Sequence, residues 1–222
     1  MGSNITNMAA TSIIPVISAD DFGRAQARVL ELAGDVEHVR ITLAAGVYKR
    51  SLSLGMSTLP LDITVEGTDG VWFDGAQLNV QGRNIRIENI AFKGRTHSRS
   101  LVSITASKHA SLTRIQVVDA QLSGSKVNIV RSSGPPKPGE RSRPARGGKR
   151  SPPAYIASIA AGGPEPVHIE GVKILRTAVS SSALFDVSAP QATEVILRDL
   201  VVPDLEDKAP VNVRPGNLKI TR

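Results

Sequence analysis

Four basic side chains fall within one short stretch, at Lys93, Arg95, His97 and Arg99. A guanidinium or ammonium group neutralises a carboxylate, and an imidazole, Lys or Arg of tuned pKa withdraws the proton beside it. Elimination from a uronate polymer needs both roles. The same cations without proton transfer simply hold an acidic chain. Lys126 and Arg176 occur at comparable places further along, so a groove of Arg95, His97, Arg99, Lys126 and Arg176 is the first candidate ligand site. Trp72, the single tryptophan, follows an alternating pattern beside Phe73 and is expected to face outward, where it can stack on a sugar or a protein partner. The plainer alternative is an ordinary solvated loop.

A second set of cations lies in residues 133–153: Lys137, Arg141, Arg143, Arg146, Lys149 and Arg150 stand against Glu140 alone. They supply +5 of the chain's formal +7 and leave a nearly neutral body. Six prolines and four glycines in the same stretch argue for a flexible insertion that buries no core. Such an arm can grip a polyanion. Nucleic acid is the less expected partner, because no aromatic residue precedes Tyr155 there to stack on bases.

Other chemistries find less support. With no cysteine, thiolate zinc sites, a cysteine nucleophile and a disulfide framework are excluded. His38, His109 and His168 are scattered without metal-ligand spacing. No cofactor is expected; calcium on Glu66, Asp69, Asp74 and Glu88 is the alternative, since these acids fall on neighbouring repeats. Gly67-Thr68-Asp69-Gly70 reads as a turn between strands, not as a phosphate loop.

The elements that must carry these residues are repeats. Ile85, Ile87, Ile90 and Phe92 form a four-position apolar pattern. It returns at Ala110, Leu112, Ile115 and Val117, at Val167, Ile169, Val172 and Ile174, and at Val195, Leu197, Leu200 and Val202. Leu218 and Ile220 make a partial copy. A second alternating strand precedes each copy, as in Leu184-Phe185-Asp186-Val187. The residues between the two halves, Glu88-Asn89, Thr113-Arg114, Glu170-Gly171 and Arg198-Asp199, are placed as corners, where Asn, Gly and Asp tolerate left-handed backbone. Stacked coils of this kind bury one continuous aliphatic core. A β-sandwich is the rival fold, but it does not require the same pattern in every unit. The expected fold is therefore all-β, a right-handed parallel β-helix with one N-terminal capping α-helix.

The expected organisation is a tail over 1–17, a capping helix over 18–34, coils over 39–132, the basic insertion over 133–153 and further coils over 154–222. Phe22, Ala25, Val29 and Leu32 or Ala33 share one helical face, Ser18 offers a cap, and Gly34 stops the helix. A helix there is expected to cover open strand edges. No matching cap follows the last coil, so self-association through that end is a further expectation.

Three stretches resemble the opening of pectate-lyase-like β-helices, nearest the chondroitinase-B-like and alginate-lyase branch. They are Ser18–Leu32 followed by 39–48, with Gly46-Val47-Tyr48; then Asp62–Gly67 with 70–75; then 85–94. The resemblance covers residues 16–94 and is only periodic beyond. It implies a scaffold. The family's catalytic Lys and Arg and its calcium-binding acids lie on later coils of a longer solenoid, and no matching motif occurs here, so no catalytic residue is carried over.

No stretch approaches the ~20 apolar residues of a membrane span. The start lacks the pattern of an export signal. The chain as given therefore reads as cytoplasmic, or as a fragment of an exported protein. The expected function is a non-catalytic structural or binding module for an acidic polysaccharide or a protein partner. The alternatives are a polysaccharide lyase, or a remnant of one, and a subunit stacked in a fibre.

Overall fold

The computed structural model describes residues 10–56, 58–123, 153–203, 205, 207–214 and 219–221. In chain order its elements are β1 (Thr11–Val16), α1 (Phe22–Leu32), β2 (His38–Leu43), β3 (Gly46–Tyr48), β4 (Leu52–Gly55), β5 (Asp62–Gly67), β6 (Val71–Asp74), β7 (Leu78–Thr96), β8 (Ser100–Leu122), β9 (Tyr155–Ala161), β10 (Val167–Glu170), β11 (Lys173–Leu175), β12 (Ala178–Val179), β13 (Ala183–Ser188), β14 (Glu194–Arg198), β15 (Ala209–Arg214) and β16 (Lys219–Thr221).

These strands build a parallel β-solenoid of about 7 turns. The first sheet stacks β1, β2, β5, the middle of β7, the middle of β8, β10, β14 and β16. The second contains β3, β6, the ends of β7 and β8, β11 and β12. The third contains β4, the starts of β7 and β8, β9, β13 and β15. β7 and β8 run through all three sheets, so each makes most of one turn.

The four-position pattern is the core. Ile85, Ile87, Ile90 and Phe92, and their counterparts in the next two copies, are buried. In the last copy Val195 and Leu197 are buried, whereas Leu200 and Val202 are only half-buried. Leu200 and Val202 line an apolar cavity of about 490 Å³ with Leu184, Leu197, Leu205 and Pro210. Burying each Val, Leu or Ile contributes roughly 1.5–3 kcal/mol, and stacking in register makes those contributions continuous.

The corners follow the expected chemistry. Asn89, Arg114, Gly171 and Asp199 occupy equivalent positions on successive turns, and all have positive φ, at 56°, 53°, 64° and 51°. Asn89 Nδ2 donates to the Gly67 carbonyl one turn below, at 2.8 Å.

At the N-terminal end, Ser18 and Asp21 cap a short 3-10 turn that leads into α1. Phe22, Ala25, Val29 and Leu32 face the core. Phe22, Tyr48 and Phe73 stack on one another, and Phe73 stacks on Phe92 at 5.4 Å. The helix packs on β4 and β1, and the Gly55 N–H donates to Gln26 Oε1 at 3.0 Å. The cap therefore satisfies a free edge of the third sheet. The expected tail over 1–17 is corrected in part: residues 11–16 form β1 and pair in parallel with β2. Pro15 is tolerated there because an edge strand does not require every N–H.

Candidate functional site

The chain passes from the second sheet to the third at one corner. His97, Ser98 and Arg99 link the sheets on one turn, and Ser180, Ser181 and Ser182 link them two turns later. On the turn between, β8 ends at Leu122 and β9 starts at Tyr155. Ser123 is anchored by its N–H to the Thr96 carbonyl at 3.2 Å, and the Tyr155 N–H donates to the Arg99 carbonyl at 2.7 Å. The long segment thus leaves and returns on either side of the predicted basic loop.

Two clefts flank this corner. On the second-sheet side, Arg95 Nε and Nη2 donate to Gln121 Oε1 at 3.1 and 2.9 Å, and His97 Nδ1 lies 3.2 Å from Ser123 Oγ. These residues, with Leu122 and Val179, line a space of about 420 Å³. On the third-sheet side, Arg99, Tyr155, Asp186, Asn212 and Arg214 line a cleft of about 290 Å³. Asp186 is only 8% exposed. It accepts hydrogen bonds from Asn212 Nδ2 at 2.8 Å and Arg214 Nη2 at 2.7 Å. Burial, and then the Asp186 charge, push the Tyr155 phenol above its ordinary pKa.

The cleft opens onto a regular surface. Ser53, Asn79, Ser103, Ser158, Asp186 and Asn212 stand in register on the six rungs of the third sheet. They alternate with core residues and form an outward polar column, one group per ~4.8 Å rung.

The predicted groove is thus only partly assembled. Arg95 and His97 come together. Arg99 belongs to the Tyr155 cleft. Arg176 donates from Nε and Nη2 to the Asp119 carboxylate, at 2.6 and 2.9 Å. Trp72 is half-buried and faces out as expected, but it lines a separate pocket, with the Lys93 ammonium 5.6 Å from its ring centre. Lys126 and the arm cations Lys137, Arg141, Arg143, Arg146, Lys149 and Arg150 lie outside the described residues.

The acids considered for calcium have other neighbours. Glu66 lies 3.8 Å from Arg40, Glu88 accepts from Arg86 and Arg114, and Asp69 accepts from Asn89. Among the described residues no three carboxylate or imidazole groups gather to hold a metal ion. Nor is any helix among them long and apolar enough to cross a membrane. His109 and His168, distant in sequence, meet edge to face at 5.5 Å.

The sequence reading missed Tyr155, Asp186, Asn212 and Arg214. Aligning the strands that precede each four-position pattern places Ser158, Asp186 and Asn212 in one outward column, and that alignment was the available signal.

Comparison of the chain with protein-family models, curated proteins and solved structures returns no match. The parallel β-solenoid stands on the structure itself, and no residue role passes to this chain from a relative.

Proposed function

We propose that this solenoid is a non-catalytic binding module for an acidic polysaccharide, held at the corner between the second and third sheets. The observation that carries the proposal is the cleft of Arg99, Tyr155, Asp186, Asn212 and Arg214. The Arg99 guanidinium suits a carboxylate, and guanidinium–carboxylate hydrogen bonds are among the stronger ones, whereas Arg214 is held by Asp186. Asp186 and Asn212 suit hydroxyl groups. A chain lying along the solenoid axis meets the outward polar column at every rung. The basic segment over 133–153, attached at the same corner, adds sequence-independent attraction.

The scaffold resemblance to pectate-lyase-like β-helices over residues 16–94 is consistent with a carbohydrate ligand, but fold analogy alone does not assign one. The test is affinity for polygalacturonate, alginate and chondroitin sulfate, with Arg99→Ala in parallel. Binding that weakens in the variant supports the proposal. Equal binding by both proteins refutes the cleft, and release of unsaturated product replaces the module with a lyase.

A further inference from the structure

Trp72 lies one turn below the strand that leads into the His97–Arg99 corner, on the outer face of the second sheet. Its pocket, about 230 Å³, is walled by Asp69, Trp72, Asn89, Arg114 and Gln116. That is smaller than a typical drug-sized site, and it suits a single ring.

Charge narrows the ligand. The Asp69 carboxylate opposes an anion. Arg114 donates to Glu88 at 3.2 Å, which offsets its positive charge. The Lys93 ammonium over the indole opposes a cation. The pocket is thus bordered by charge of both signs. Several polar groups are nevertheless available to a ligand. The Trp72 indole N–H and the Gln116 amide make no side-chain hydrogen bond among the described residues. Asp69 is engaged only through Oδ1, by Asn89 Nδ2 at 3.2 Å.

A carboxylate and an amide accept and donate to hydroxyls pointing in several directions, while an aromatic surface covers the C–H side of a ring.

We infer that the Trp72 pocket binds one neutral pyranose ring, as a site separate from the acidic-polymer cleft. Because Trp72 is the single tryptophan, its emission reports occupancy directly. The probes are the methyl glycosides of glucose, galactose and mannose. At least one should shift Trp72 emission saturably, with a half-point on the order of 1 mM, as expected for a small open site. Asp69→Asn and Gln116→Ala should each raise that half-point about tenfold, which corresponds to the loss of about 1.4 kcal/mol. Both variants should retain wild-type far-ultraviolet circular dichroism, and Arg99→Ala should bind the glycoside normally. The inference is overturned if none of the three glycosides gives a saturable change, or if Asp69→Asn and Gln116→Ala bind as the wild type does. A response to adenosine alone overturns it equally.

Discussion

Arg176 grips the carboxylate of Asp119 with two hydrogen bonds across 57 sequence positions, and both residues hold left-handed backbone, at φ 46° and 54°. They occupy one corner on adjacent turns. The strands on either side of that corner, β8 with β11 and β12, stay in register. Hydrogen bonding from Arg176 holds the Asp119 carboxyl under its usual pKa, against a smaller opposing effect of burial.

That register predicts the outcome of a deletion. Joining Ser123 directly to Pro153 leaves Ser123, Pro153 and Ala154 between Leu122 and Tyr155, a three-residue link like His97-Ser98-Arg99 on the turn below. The shortened protein should keep its strand content and melt cooperatively. Its stability should rise by on the order of 2 kcal/mol from reduced loop-closure entropy. Circular dichroism and urea unfolding check this, and a loss of strand signal contradicts it.

The cap rests on Gly55. Its φ is 74°, and an added Cβ would collide with the Gln81 carbonyl oxygen. Gly55→Ala should destabilise the protein by about 2 kcal/mol or more, because an L side chain is disfavoured there and the neighbour is backbone. At the centre of the aromatic stack, Phe73→Ala should cost roughly 3–5 kcal/mol. Urea midpoints measure both.

Acidification should weaken the fold in two stages. Burial lowers the His109 and His38 pKa values, and nearby His168 lowers that of His109 further. The folded chain then binds fewer protons than the unfolded one, so stability falls as pH drops below about 6.5. Backbone N–H groups of Ser18 and Ile17 lower the Asp21 pKa. Burial opposes the same change at Asp62, but Arg83 and Asn84 overcome it. The stability these carboxylates contribute is present above about pH 4 and lost as pH falls through their folded values. His109→Gln should reduce the first stage, leaving the His38 part, and keep the second. A urea midpoint independent of pH from 7 to 5 in the wild type, in intervals of about one unit, contradicts the histidine contribution.

The Tyr155 cleft has its own titration. Burial raises both Tyr48 and Tyr155, and Asp186 adds to the shift at Tyr155. Ultraviolet difference titration should show both phenols ionising above about 10. Asp186→Asn should bring one of the two down and leave the other. An unchanged curve separates Asp186 from Tyr155.

Much of this architecture was legible in the residues. The pattern Ile85, Ile87, Ile90, Phe92 marks positions that must be buried, and its returns give the turns. Asn89 and Gly171 mark corners, since few residues accept that backbone. Strand β1 was hidden because Ile13, an exposed apolar residue, stands between the inward positions Ser12 and Ile14, so no apolar–polar alternation betrays it. The cleft was hidden for another reason. Apolar periodicity locates what points inward, whereas Tyr155, Asp186 and Arg214 share a site through the register of outward positions. The long segment before Tyr155 also obscures that register in the linear sequence.

The central claim is that an acidic polysaccharide is bound at this corner. The most direct measurement is its affinity for the intact chain and for the 124–152 deletion, at about 0.05 M and about 0.3 M salt. The account predicts salt-sensitive binding by the intact chain, and weaker, less salt-sensitive binding by the deletion that Arg99→Ala then abolishes. Absence of binding by the intact chain at the lower salt concentration contradicts it.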